Sequence, residues 1–311
     1  MQDTQKPSKS KKIIIIILII AFIVAGLIGA GAFGIYRFVI LPAQIAESAN
    51  KNVEVLNQNT AKGSQILNDL SNNLDSTNLT QTNTQETVQK IDNSKQDLTD
   101  FATTLDEDIE KLNQGSNSDT QSFYNSSKEV LEERKNTFNL IIKVVDNLSC
   151  ITQKTSDFST FLGNSNTELS KINQEELGTF TTYSNTAAQE VEKATKSLGE
   201  LKDCFVEDFS KYYTPEVEAD IKKDTDLYTE YAKSLREFAT AVEQKNTTQI
   251  DTASKKLDEI SATPITSLEN KNLEKAFTEP AKSIDTALFD LKDQESELDK
   301  NLQELKKKYS I

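Results

Sequence analysis

The chain has 311 residues, of which 36% are hydrophobic and 27% charged, so it is long enough to bury an apolar core. It has no histidine and only 9 glycines and 5 prolines, a composition that favours long helices over a many-stranded sheet. No histidine means no Ser-His-Asp or Cys-His triad and no ordinary zinc site, and no glycine-rich phosphate loop occurs. We therefore predict an all-α protein that is not an enzyme and binds no cofactor or metal, although a mechanism based on two carboxylic acids stays open on composition alone.

The first predicted element is a transmembrane helix over residues 13–41, which follows a short basic tail at residues 1–12. Residues 13–36 carry no charge. As a helix they would be about 36 Å long, enough to cross a hydrocarbon layer of about 30 Å. Four lysines precede the stretch and Arg37 stands alone after it, so the positive-inside rule places the N-terminus in the cytoplasm. We expect a single-pass signal-anchor in the cell membrane with an extracytoplasmic C-terminal domain.

The alternative for this stretch is a cleaved signal peptide. Ala30, Gly31 and Ala32 match the small-residue pattern of a cleavage site. However, the apolar run continues through Leu41, beyond the 7–15 residues that are usual for the apolar part of a signal peptide. We therefore favour an uncleaved anchor.

Small residues recur on one side of the predicted transmembrane helix. Gly26, Ala30 and Gly34 are spaced four residues apart and would let another helix approach closely. The simpler explanation is that small residues are common in membrane helices generally. The hypothesis to be tested is that this stripe pairs with a second copy or with a partner's span, so the expected partners are the lipid bilayer and a protein.

Negative charge is concentrated after the anchor. Residues 1–41 carry five basic side chains and one acidic one, a net charge of +4. Because the whole chain has a net charge of −14, residues 42–311 carry −18. Nucleic acid and anionic lipid are therefore poor partners for the outer surface as a whole, whereas basic proteins and divalent cations are favoured. Solubility alone would also explain this charge.

Residues 42–118 are predicted to form a juxtamembrane helical region with a coiled-coil-like seam. One heptad frame runs from Val53 to Leu112, with Gly63 among its non-apolar core positions. Several other exceptions lie in the Ser-, Thr- and Asn-rich stretch 76–84, where side chains compete with helical hydrogen bonds. The chain either turns there and makes a hairpin, which we favour, or continues as one long helix with a polar middle.

Residues 119–311 are predicted to form an acidic α-helical bundle, giving an elongated extracytoplasmic domain. Gly115 breaks the chain, and Asp119 is placed to cap the next helix. Gly163 is expected to end that helix, with Ser165 and Glu168 as a capping box that starts another.

Later in the chain the helix signals are prolines and capping residues. Thr214 and Pro215 predict a helix start, Asn246 a helix end, and Pro280 the start of the last helix. The last helix keeps an apolar 3-4 spacing with Glu295 as the exception, and the acidic clusters, including Glu295 and Glu297, are expected to lie on solvated faces. Its final lysines, Lys306–Lys308, suit the negative end of the helix dipole, the alternative being a phosphate or lipid-headgroup site.

Cys150 and Cys204 are the only cysteines, and both would lie outside the cytoplasm, where disulfides persist. In a simple helical hairpin the facing residues lie equally far from the turn, and the midpoint of this pair is residue 177. A turn at Gly163 would instead separate the two cysteines by about 39 Å along a straight helix. The sequence therefore leaves the bridge open.

These features favour a non-enzymatic, membrane-anchored protein that acts in cell-envelope structure or protein-protein interaction, as a spacer, scaffold, adhesion module or subunit of a membrane complex. The alternative is an extracytoplasmic ligand-binding or sensing bundle that signals through a partner, since a tail of 12 residues provides no output domain of its own. Lysine outnumbers arginine 32 to 3, which indicates an AT-rich, bacterial coding sequence.

Overall fold

The computed structural model describes residues 43–74, 84–115, 117–172, 177–263, 265–267 and 271–308. Within these residues all regular structure is helical and no strand occurs, so the predicted all-α class is confirmed. The α-helices are α1 (Ala43–Leu74), α2 (Thr84–Lys111), α3 (Ser118–Ser170), α4 (Leu177–Gly199), α5 (Pro215–Glu243), α6 (Thr247–Ala262) and α7 (Lys271–Lys308). Two 3₁₀ segments, Glu200–Cys204 and Glu207–Tyr212, connect α4 to α5.

The predicted transmembrane segment 13–41, with its stripe of Gly26, Ala30 and Gly34, lies outside the described residues. None of the helices that are described combines the length and the apolar character that a membrane crossing requires.

The chain divides into two compact units that are not consecutive in sequence. The first unit comprises Met1–Ser149 and Phe277–Ile311, and the second comprises Cys150–Ala276. Helix α3 supplies residues to both units, and so does α7. Two long helices therefore connect units that the sequence pattern alone does not delimit.

In the first unit, α1 and α2 form an antiparallel hairpin. The Asn52 side chain bonds to the backbone of Asn113, Asn59 bonds to Asp108, and Lys62 lies 3.5 Å from the hydroxyl of Thr104. As residue numbers rise along α1 they fall along α2, which is the pattern of antiparallel neighbours. The hairpin is therefore confirmed, and the alternative of one continuous helix is wrong.

Gly63, an exception in the heptad frame, is a close-packing position. A Cβ added there would lie 3.0 Å from Cζ of Phe101 and 3.4 Å from Cζ of Phe138. The rings of Phe101 and Phe138 themselves pack with centroids 4.5 Å apart, and both residues are fully buried. The absence of a side chain on α1 thus makes room for an aromatic pair contributed by α2 and α3.

Helix α3 is capped by Asn117, two residues before Asp119, which was the predicted cap. The side chain of Asn117 accepts hydrogen bonds from the backbone amides of Asp119 and Thr120, at 3.1 and 2.9 Å. Asn117 therefore satisfies two of the donors that the first helical turn leaves unpaired. Asp119, predicted as the cap, lies inside the first turn, where its charge favours the positive end of the helix dipole.

The predicted helix stop at Gly163 is wrong, because α3 continues to Ser170. Phe158 and Ser165, seven residues apart on one face, are both buried, so the helix keeps packing across the glycine. The expected capping box of Ser165 and Glu168 does not form, since both residues are inside the helix. A single interior glycine costs only about 1 kcal/mol, less than burial of one large apolar side chain contributes.

The predicted start of the last helix at Pro280 is also wrong. Helix α7 begins at Lys271, and Pro280 lies inside it as a buried residue. Proline removes one helical hydrogen bond, a cost of about 3 kcal/mol in a helix interior. The apolar residues that follow on α7 are buried and offset this cost: Ile284, Leu288, Leu291, Leu298, Leu302 and Leu305.

In the second unit, α4 and α5 pack side by side through small and aromatic residues. Ala187, Ala194 and Ala239 are essentially inaccessible, and the rings of Phe180 and Phe238 lie 5.1 Å apart. Helix α5 starts as predicted, with the Thr214 hydroxyl accepting from Val217 and Pro215 at the first position. Asn246, predicted to end that helix, also caps α6 by accepting from the amide of Gln249.

Candidate functional site

Cys150 and Cys204 are joined by a disulfide, with their Cα atoms 5.5 Å apart. The bond links α3 to the 3₁₀ segment Glu200–Cys204, and both cysteines belong to the second unit. The conflict found in the sequence disappears because α3 ends at Ser170 and α4 begins at Leu177, so the chain reverses near the midpoint of the pair. An ion pair of Lys154 with Glu200, at 2.5 Å, lies four residues from each cysteine and joins the same two elements.

A layer of four polar side chains crosses the core of the first unit, one from each of the helices that the structure describes there. We define this polar layer as Asn59 on α1, Asp108 on α2, Arg134 on α3 and Glu295 on α7. The guanidinium of Arg134 donates to Asn59 at 2.6 Å and to Glu295 at 2.5 Å. The Asn59 amide in turn donates to Asp108 at 3.0 Å. One chain of hydrogen bonds therefore connects α1, α2, α3 and α7 at one level.

The central ion pair of this layer is removed from solvent. The side chains of Arg134 and Glu295 are 0% and 2% exposed. A buried charge is tolerated only when a partner compensates for lost hydration, and the two opposite charges make this pair neutral. Arginine suits the position because its planar fork can donate to two partners on different helices, which an ammonium group does less well.

The expectation that Glu295 lies on a solvated face is wrong. Its spacing already placed it among the core positions of α7, and that pattern was the signal that could have located it. Arg134 gave a weaker signal, as one of three arginines among 35 basic residues. What the sequence could not show is which cation on another helix would face Glu295, because that depends on the packing of α3 against α7.

A second acidic cluster, residues 106–110 of α2, contributes contacts between helices. Asp106 pairs with Lys135 of α3 at 2.6 Å, and Asp108 belongs to the polar layer. Among the residues that the structure describes, no group of three or more cysteine, aspartate or glutamate side chains is arranged to hold a metal ion. Asp106 and Asp108 are therefore accounted for by contacts between helices.

A second buried carboxylate, Asp224 on α5, fixes a loop in the second unit. It accepts hydrogen bonds from the backbone amides of Thr266 and Ser267, at 2.9 and 2.7 Å. Four residues later, burial and the nearby charge of Asp224 raise the pKa of Tyr228 above its ordinary value. The Tyr228 ring packs edge-on against Phe158, so this polar contact is built into the core of the second unit.

The end of α7 lies beside the start of α3. Lys308 pairs with Asp119 at 2.7 Å, and both Lys307 and Lys308 are exposed. Asp119 lies at the positive end of α3 and Lys308 at the negative end of α7, so the ion pair complements two antiparallel helix dipoles.

Comparison with known proteins gives no further guide to function: no family model, no curated protein and no solved structure matches the chain. The features that bear on function are therefore the apolar stretch 13–41, the disulfide, the polar layer and the lysines of α7.

Proposed function

We propose that the protein is a non-enzymatic, membrane-anchored, extracytoplasmic helical module that acts through protein-protein interaction at the cell envelope. Residues 13–41 would be the anchor, and residues 42–311 the outer part. The observation that carries this proposal is the disulfide between Cys150 and Cys204. Structural disulfides persist in oxidising compartments and are rare in the cytoplasm, so the bond agrees with the orientation derived from the flanking lysines.

The interaction role rests on what the chain presents and on what it lacks. The chain contains no histidine, and its glycines form no phosphate-binding loop. Its buried polar side chains connect helices of the first unit in the polar layer, and in the second unit Asp224 holds a loop against α5. Such an arrangement supports a rigid scaffold whose contacts with partners are made by the surface and by the small-residue stripe of the anchor.

Crosslinking in intact cells tests both parts of the proposal. The full chain would be expressed in a bacterial host and treated with a membrane-impermeant amine crosslinker. Because the lysines of residues 42–311 would face outward, we expect a defined crosslinked complex. The triple variant Gly26→Leu, Ala30→Leu and Gly34→Leu should lose it, since leucine would keep another helix from approaching.

A matched control replaces Ile15 and Ile19 with leucine, which changes the same span without filling the stripe. This control should keep the complex. Crosslinking that appears only after the cells are lysed would contradict the outward orientation, and a complex unchanged by the triple variant would contradict pairing through the stripe.

A second candidate is a ligand-binding or sensing bundle that signals through a partner. The observation that favours it is that Nε of Arg134 and the hydroxyl of Thr137, one turn apart in the core of the first unit, have no hydrogen-bond partner. Buried polar atoms are usually satisfied, so a small polar solute could supply the missing contacts. A solute that raises the melting temperature of the full chain, and no longer does so in Thr137→Val, would support sensing.

A further inference from the structure

The polar layer serves as a reference level for the helices of the first unit. Asn59 on α1, Arg134 on α3 and Glu295 on α7 touch one another, so they lie at the same height in the bundle. Asn301, six residues after Glu295 on α7, contacts Ser126, eight residues before Arg134 on α3, so the two helices run antiparallel. Gly63, four residues after Asn59 on α1, packs against Phe138, four residues after Arg134 on α3. The two helices therefore run parallel.

Three helix ends lie at similar distances from the polar layer, measured along the helices. From the polar layer to Ala43 is about 24 Å along α1, to Asp119 about 22 Å along α3, and to Lys308 about 20 Å along α7, at ~1.5 Å per residue. All three run toward the same end of the bundle. The ion pair of Lys308 with Asp119, at 2.7 Å, fixes two of these ends directly. The last turn of α7 therefore lies at the level where α1 begins.

Ala43 is also where the apolar segment joins the folded part. Only one residue separates it from Leu41, the last residue of that segment, and two residue steps span at most about 7 Å. If residues 13–41 cross the membrane, the end of the first unit that carries Ala43 and Lys308 faces the bilayer surface.

Charge at this end is less negative than in the outer part as a whole, and its basic side chains are concentrated in one turn. The last turn of α7 contributes Lys306–Lys308, α3 contributes Asp119 in its first turn, and Glu47 and Glu304 adjoin the first turn of α1 and the last turn of α7. These charges sum to 0, whereas residues 42–311 carry −18. Asp119 is already paired with Lys308.

We propose that the last turn of α7, which carries the sequence Lys306–Lys308, docks on anionic lipid headgroups and holds the first unit against the membrane. The proposal rests on the proposed function, because it requires residues 13–41 to be the anchor. Anionic headgroups attract lysines that lie within about one Debye length, ~10 Å at 0.1 M salt, and this end of the bundle meets that condition. The general exclusion of anionic lipid by an acidic surface does not hold at this end.

Energy transfer from a single tryptophan to labelled lipid tests the proposal in the full chain. The sequence has no tryptophan, so Tyr309→Trp introduces one reporter directly after the lysines. The protein would be placed in nanodiscs of phosphatidylcholine, or of phosphatidylcholine with phosphatidylglycerol, each with a trace of dansyl-labelled lipid. We expect more transfer in the anionic nanodiscs, and we expect 0.5 M salt to remove the increase.

The test variant is Lys306→Gln with Lys307→Gln, which keeps the ion pair between Lys308 and Asp119. The ratio of docked to undocked protein should fall about fivefold for each lysine removed. The matched control, Lys222→Gln with Lys223→Gln, removes the same charge from exposed positions of α5 in the second unit and should leave the transfer unchanged.

Alkaline carbonate extraction separates the two ways in which the proposal can fail. Protein that is extracted from the membrane would refute the anchor, and with it the proposed function and this docking surface. Protein that stays in the membrane, but whose energy transfer is the same in both lipids or the same in the Lys306/Lys307 variant, would refute the docking surface alone.

Discussion

Glu295 occupies a position of α7 at which the pattern calls for an apolar residue, and it meets the fully buried Arg134. Replacing such a pair with apolar residues of similar volume is often neutral or stabilising, so the pair is not explained by stability alone. We infer that it specifies alignment, because Arg134 can reach both Asn59 and Glu295 only when α1, α3 and α7 are at one height. A shift of α7 by one turn would bury both charges without partners.

Removing one member of the pair should therefore be much more harmful than removing both. Glu295→Leu leaves the Arg134 charge buried and unpaired, and we expect a loss of about 3–5 kcal/mol in the free energy of unfolding. The double variant Arg134→Met with Glu295→Leu should lie within about 1 kcal/mol of the wild type or be more stable. Denaturant unfolding of the detergent-solubilised full chain, followed by circular dichroism, measures both changes.

The control for this experiment is Glu297→Leu, the same substitution at an exposed position of the same helix. It should change the stability by no more than about 0.5 kcal/mol. A double variant as unstable as the single one would show that the pair itself, rather than the unpaired charge, determines stability.

At the scale of helices, the sequence predicted which faces are buried better than it predicted where helices end. The seam of α1 and α2, the cap at Thr214 and the apolar face of α7 follow from local periodicity, and they are present. Gly163 and Pro280 were interpreted as ends, yet both lie inside helices. A local signal for a break is worth about 1–3 kcal/mol, and burial of the residues on either side outweighs it. That burial depends on other helices, which a single sequence does not place.

The two glycines inside α1 and α3 should respond in opposite ways to the same substitution. Gly163 is exposed and a Cβ there meets nothing within 4 Å, so Gly163→Ala should stabilise the protein by about 1 kcal/mol through helix propensity. At Gly63 an added Cβ would crowd the Phe101 ring at 3.0 Å. Overpacking costs about 1–3 kcal/mol, so Gly63→Ala should be neutral to destabilising.

Thermal unfolding of the two variants, measured side by side, provides the check. Each serves as the control for the other, because the residue created and the helical setting are the same. Equal stabilisation by both would mean that the Phe101 ring moves aside freely, contrary to the close packing of Phe101 with Phe138.

At the scale of the whole chain, the class of fold followed from composition, whereas the division into units did not. Scarce glycine and proline indicated long helices, and the described residues are helical throughout their regular structure. The first unit, however, combines Met1–Ser149 with Phe277–Ile311. Local patterns carry no information about which distant helices pack together. The two cysteines carried a long-range signal that the sequence analysis left open, since the midpoint of Cys150 and Cys204 lies close to the reversal between α3 and α4.

The disulfide lies wholly in the second unit, so breaking it should destabilise that unit first. In the chain-entropy description, closing a loop across the separation of 54 residues stabilises a fold by about 4 kcal/mol. Hydrogen exchange read by mass spectrometry, with and without reductant, should show lost protection in residues 177–262. Residues 84–111, in the first unit, should change little. The variant Cys150→Ser with Cys204→Ser should reproduce the reduced pattern and no longer respond to reductant. Equal loss of protection in both units would contradict the division, because two compact units with separate cores open with separate free energies.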